Sequence, residues 1–189
     1  MPQQLIDLVK NTVITTIKGA GEIVNTVTDT VSGALVNALQ GTTAVGTAAV
    51  GAVADVASGV IQGASQVGGD LGGAAKGAMM GVLRGTKTLT GETMDTISAG
   101  ARSVVKSTGQ VGGDVVVVAK KVVEGAIQGA RDIGIDATKA ATAAANGAIK
   151  GASEVSQVAA GQVTQALTGV IDGVKIVVTE PFRPATARS

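Results

Sequence analysis

The sequence predicts an all-α protein built on a long amphipathic helix, from a 22-residue repeat, the sorting of charge around a helical wheel, and the confinement of proline to the chain ends. The repeat shows in eight five-residue windows: TTIKG from Thr15, NALQG from Asn37, GVIQG from Gly59, GVLRG from Gly81, SVVKS from Ser103, GAIQG from Gly125, GAIKG from Gly147 and GVIDG from Gly169. A period of 22 fits either one rung of a β-solenoid or six helical turns made of two 11-residue halves. Charge decides between them. On a wheel advancing about 98° per residue, every charged residue from Asp7 to Glu180 falls in one arc of ten unit positions, and the twelve opposite positions hold none. A strand would sort charge by odd and even places, whereas Lys18, Glu22 and Asp70 take even places and Asp29, Lys87 and Asp95 odd ones. Pro2, Pro181 and Pro184 leave the interval between them free of proline.

The chain divides accordingly into a helical lead-in over 1–14, a repeat region over 15–180 and a tail over 181–189 carrying Pro, Phe and Arg. The segment MPQQLIDLVKNTV lacks the basic start and long apolar run of a secretory signal. Unbroken, the repeat region would extend about 250 Å at 1.5 Å per residue. The chain has 28 glycines, and each costs a helix interior about 1 kcal/mol relative to alanine. The helix is therefore weak alone and is expected to break, if anywhere, at glycine.

The apolar face follows from the third and ninth places of each unit: Ile17, Ile23, Leu39, Val45, Ile61, Val67, Leu83, Leu89, Val105, Val111, Ile127, Ile133, Ile149, Val155, Ile171 and Val177. It covers more than half the wheel, wider than the seam of a two-stranded coiled coil. Gly59, Gly63, Gly81, Gly85, Gly125, Gly129, Gly147, Gly151, Gly169 and Gly173 recur at i, i+4 on its border, the spacing that lets helices approach closely. Gly46, Gly68, Gly112 and Gly134 lie towards the other border. Acids collect in three columns, among them Glu22, Asp70, Asp114, Asp132, Asp136 and Glu154, while most other polar columns are basic. An acidic edge meets a basic edge only between parallel neighbours, which predicts a parallel homo-oligomeric bundle, tube or sheet.

Composition limits the function. With no His and no Cys, the commonest general base, nucleophile and transition-metal ligands are missing; no catalytic, cofactor or metal residue is expected. A net charge of +1 and a single aromatic residue, Phe182, give nucleic acid neither an electrostatic footprint nor a stacking platform. The span from Gly41 to Gly63, with only Asp55 charged, is long enough to cross a bilayer but is built of Ala, Gly and Thr. VVVVA at 115–119 is the most strand-prone stretch. VGGD at 67–70 and 111–114 lacks the context of a phosphate-binding loop. Asp132 with Asp136 reads as a solvated face, and Met79 with Met80 as adaptable packing.

GVIQGASQV, EGAIQGARDIG and NGAIKGASEVS, with their Val/Ala/Thr face and regular glycine, resemble the 11-residue amphipathic repeats of synucleins, perilipins and exchangeable apolipoproteins. The likeness is one of period and composition over Thr15 to Glu180, and it implies a helix that orders on lipid surfaces. The expected function is a non-catalytic structural protein, self-associating, cytoplasmic and peripherally bound to membrane or lipid through its apolar face. The alternative is a parallel tube or stalk that scaffolds a larger complex, docks through Phe182 and Arg183 of the tail, and holds or passes lipophilic molecules in its lumen. A disordered stress protectant is a third reading, against which stands a mean hydropathy of +0.40.

Overall fold

The computed structural model describes residues 2–17, 23–40, 45–87 and 94–178. Within them lie α1 (Pro2–Thr16), α2 (Ile23–Leu39), α3 (Val45–Gln66), α4 (Leu71–Lys87), α5 (Met94–Gln110), α6 (Val115–Ile133), α7 (Ala137–Val155) and α8 (Gln157–Leu167). A hairpin of β1 (Gly169–Ile171) and β2 (Val174–Ile176) follows. Among the described residues the fold is all-α apart from this hairpin.

The helix does break, and at glycine, as its composition allows: eight helices stand where an unbroken repeat would make one, and the breaks have a local chemical cause. At the end of α3, Gly68 adopts φ 65°, and the Gly69 N–H returns to the Ala64 carbonyl at 2.8 Å. The next residue, Asp70, accepts from the Gly72 N–H at 2.9 Å and starts α4. The same turn recurs after α5, where Gly112 has φ 75°, Gly113 N–H bonds Thr108 O at 2.9 Å, and Asp114 accepts from Val116 N and Val117 N. After α6, Gly134 has φ 74° and Asp136 accepts from Thr138 N and Lys139 N. A left-handed glycine closes the last turn of one helix, and a carboxylate two residues on caps the first turn of the next. Three of the glycines read as a second border of the apolar arc, Gly68, Gly112 and Gly134, are thus helix ends, while Gly46 lies in the first turn of α3. VVVVA, for its part, opens α6 behind the Asp114 cap.

Helices two apart in the chain pack side by side. α1, α3, α5 and α7 form one layer, α2, α4 and α6 form the other, and α8 lies against α6 and α7. Within a layer neighbours run parallel, because contacts advance together along both helices: Gly59 and Gly63 of α3 meet Val9 and Val13 of α1, while Gly77, Gly81 and Gly85 of α4 meet Val27, Val31 and Leu35 of α2. The stagger is close to two units plus a turn and a half of helix, as in the Thr28 hydroxyl bonding Gly77 O across 49 residues.

The core lies between the layers. Leu35, Ile61, Met79, Leu83, Ile97, Ile127 and Leu167 are fully buried with a large set of Ala and Val. Small side chains suffice because glycine brings the backbones together, so burial of an amphipathic face supplies the stability that the glycine-rich helices lack alone. The helix assumed over the eighth unit is also corrected. Asp172 and Gly173, at φ 48° and 76°, make the two-residue turn of a hairpin in which Ile171 pairs with Val174 and Gly169 with Ile176. Val174 and Ile176 are buried, and β2 packs on α7.

Candidate functional site

The chemistry of this fold is concentrated in the seams between parallel helices. In the α5–α7 seam an added Cβ on Gly147 would collide with Ser98 O, and one on Gly151 with Arg102 O. In the α4–α6 seam an added Cβ on Gly125 would stand 2.6 Å from Lys76 O, and Gly129 sits against Met80 and Leu83. Gly59, Gly63, Gly81 and Gly85 serve the α1–α3 and α2–α4 seams in the same way. Gly169 and Gly173 differ: they have positive φ in the hairpin and an added Cβ would meet nothing within 4 Å. Expected as helix contacts, they are turn and strand glycines, because the Asp172–Gly173 turn ends helical geometry there.

The fifth unit replaces both border glycines with serine, and its seam is built differently. Ser103 donates to Ala54 O at 2.7 Å. Its oxygen lies 2.9 Å from the Ser58 hydroxyl, which in turn accepts from Ser107 at 3.0 Å. With the Ser103 proton committed to Ala54, Ser58 is the donor to Ser103. A chain of three hydroxyls thus joins α3 to α5 where glycine joins the other pairs.

The acidic and basic columns also meet across seams. Arg84 of α4 reaches Asp132 of α6 at 3.4 Å and Asp29 of α2 at 3.9 Å. Lys106 of α5 holds Glu154 of α7 at 2.7 Å, with Arg102 on the same carboxylate. The Lys106 and Arg102 hydrogen bonds lower the Glu154 pKa. Burial raises that of Asp55, on the half-exposed side of α3. The parallel neighbour that the columns call for is therefore present within the chain, two units along.

The apolar places sort by position in the unit. Ile23, Leu39, Ile61, Leu83, Val105, Ile127 and Ile149 are buried, while Ile17, Val111, Ile133 and Ile171 are half-buried. Val67, Val155 and Val177 of the apolar face are exposed: the first two sit at helix ends and the third follows the hairpin. The Val45 side chain, Leu89, Phe182 and Arg183 lie outside the described residues. What the sequence reading missed is the capping role of Asp70, Asp114 and Asp136; its signal was an acid two residues after a glycine in three corners.

Two of the surface cavities lie among the described residues. One of about 680 Å³ is lined by Lys76, Glu124, Gln128, Arg131, Asp132 and Asp172. The other, about 450 Å³, lies among Asp114, Val116, Gln162, Gln165 and Ala166. In the first, Arg131 is engaged with Asp172 at 2.9 Å, Asp132 with Arg84, and Glu124 with Lys121 at 2.8 Å. Among the described residues no group of three or more acidic, His or Cys side chains is placed to hold a metal ion. Helix α3 contains one stretch, Thr47–Gln66, long and apolar enough to cross a membrane, half of it buried against its neighbours. These features define the class of the molecule: an all-α, two-layer stack of helices. Comparison with family models, with curated proteins and with solved structures returns no match.

Proposed function

We propose that this chain is a non-catalytic structural protein, a self-supporting helical scaffold that offers the outer faces of its two layers to a larger complex. One observation supports this over ordering on lipid: the large side chains of the apolar arc, Leu35, Ile61, Leu83 and Ile127, are already covered by the chain's own helices. These side chains are already out of water, so moving them onto acyl chains would gain no further hydrophobic burial. The repeated seams fix the spacing of the polar outer columns, which is what a scaffold requires. Circular dichroism and sedimentation in plain buffer test this. The scaffold is helical and compact without vesicles, and phosphatidylcholine or phosphatidylglycerol vesicles leave the spectrum unchanged. Helicity that appears only with vesicles contradicts it.

A lipid-binding reading has one specific support, the exposed valines Val67, Val117, Val155 and Val158. They belong to the ends of odd helices and the starts of even ones. In that reading the intact stack rests on a membrane by this edge. Vesicle co-flotation with unchanged helicity, abolished by Val155→Asp with Val158→Asp, distinguishes it from the scaffold.

A further inference from the structure

An acid stands in the α1–α3 seam. An added Cβ on Gly59 would lie 2.7 Å from Ile6 O, and one on Gly63 2.9 Å from Lys10 O, so the contacts advance together along the two helices. One turn before Gly59, on the same face of α3, is Asp55, which this register sets opposite the first turn of α1, beside Leu5. The corresponding place is Gly77 on α4, pressed against Val24 and Val27 of α2, and Ala99 and Ala143 on α5 and α7. On α6 it is Lys121, whose charge is met by Glu124 at 2.8 Å. Asp55 is half-buried, and among the described residues no hydrogen bond or ion pair reaches its carboxylate.

Two effects compete on that carboxylate. The first turn of α1 has no acid of its own, and its free N–H groups attract negative charge, as does the charge at the chain terminus. Against this, an ionised carboxylate that gives up water without a hydrogen bond in return loses free energy. Burial is the larger effect and raises the Asp55 pKa. The neighbouring charges are committed elsewhere. Asp7 and Lys10 of α1 pair with each other at 3.5 Å. On α5, Arg102 and Lys106 are held by Glu154, and Asp95 is exposed. Asp29 of α2 and Lys76, Arg84 and Lys87 of α4 belong to the other layer, and α3 carries no second charge.

We propose that Asp55 makes the α1–α3 seam a pH-sensitive latch, looser while this carboxylate is ionised and tighter once it is protonated. A carboxylate whose folded pKa lies above its unfolded value contributes stability below the unfolded one and loses it as pH rises through the folded one, the reverse of Glu154. The latch goes beyond the scaffold function and does not rest on it. Asp55→Asn, close in shape and in helix propensity, removes the charge alone and tests it. At neutral pH this variant should unfold at a higher urea concentration than the parent, and the gap should narrow as pH falls towards the ordinary carboxylate range. Amide hydrogen exchange, corrected for the intrinsic rate at each pH, locates the effect. The protection of Val9 and Val13 in α1, taken relative to Val122 and Val123 in α6, should rise in acid by more in the parent than in Asp55→Asn. If the ionised carboxylate instead serves α1 as a cap, Asp55→Asn lowers the urea midpoint at neutral pH, and the inference is overturned. A gap that does not change with pH overturns it too, as does relative protection that moves equally in the two proteins.

Discussion

The seam between α5 and α7 and the seam between α3 and α5 share a helix, a direction and a stagger, yet they are held differently. In the first, Gly147 and Gly151 bring α7 against the carbonyls of Ser98 and Arg102. In the second, Ser103 and Ser107 on the same helix α5 reach Ser58 and Ala54 of α3 by hydrogen bonds. One seam gains packing density by deleting Cβ atoms; the other keeps the side chains and satisfies their polarity. The exception to the glycine pattern is thus a functional substitute for it. The sequence position that permits close approach is the same in both, and the chemistry filling it decides how the layer coheres.

The largest effect should come from filling a glycine seam. Gly147→Val sets a branched side chain against Ser98 O and is expected to cost about 3 kcal/mol, the upper end of ordinary overpacking, read as a lower urea midpoint at unchanged slope. A cost below about 1 kcal/mol, the lower end of that range, would mean that α7 stands further from α5. Breaking the serine seam should cost less: Ser58→Ala removes one link of the hydroxyl chain and is expected to lower stability by about 1 kcal/mol. A glycine outside any seam should reverse the sign. An added Cβ at Gly51 meets nothing within 4 Å, so Gly51→Ala should stabilise by up to about 1 kcal/mol, whereas the same change at Gly151 destabilises.

The smallest effect is electrostatic. Glu154 rims the α5–α7 seam, and Lys106 with Arg102 lowers its folded pKa. A carboxylate with a depressed folded pKa contributes stability above its unfolded value and loses it as pH falls through the folded one. Exposed pairs are worth about 0.2–1 kcal/mol, so Glu154→Gln should lower the neutral-pH melting temperature slightly. That difference should close in acid, below the carboxylate range.

The period, the helical class and the close approach of helices at Gly59, Gly81, Gly125 and Gly147 were legible in the residues, because charge sorting and glycine spacing report directly on a helical surface. That the helix would break at glycine was legible too, but not at which glycines. Gly112 at a helix end and Gly129 inside a helix are the same letter, and only φ separates them. The cue that did exist was the acid two residues after the glycine, as in VGGD and GID, where a solvated column and a helix cap call for the same residue type. The hairpin was hidden because GVIDG repeats the letters of the helical windows. There the Asp172–Gly173 turn prevails, with Ile176, Val177 and Val178 adding β-branched weight. Parallel neighbours were expected from another copy; the stagger that supplies them from within the chain appears only once the helices are broken.

The central claim is that the helix breaks once per unit and folds back on itself two units along, and Ser58 and Ser103 test it most directly. Their hydroxyl oxygens are 2.9 Å apart across 45 residues, whereas an unbroken helix would separate the two positions by about 70 Å. A Ser58→Cys, Ser103→Cys variant at micromolar concentration should oxidise to an intramolecular disulfide with native helicity. A chain that stays reduced, or that links only to other molecules, would contradict the fold.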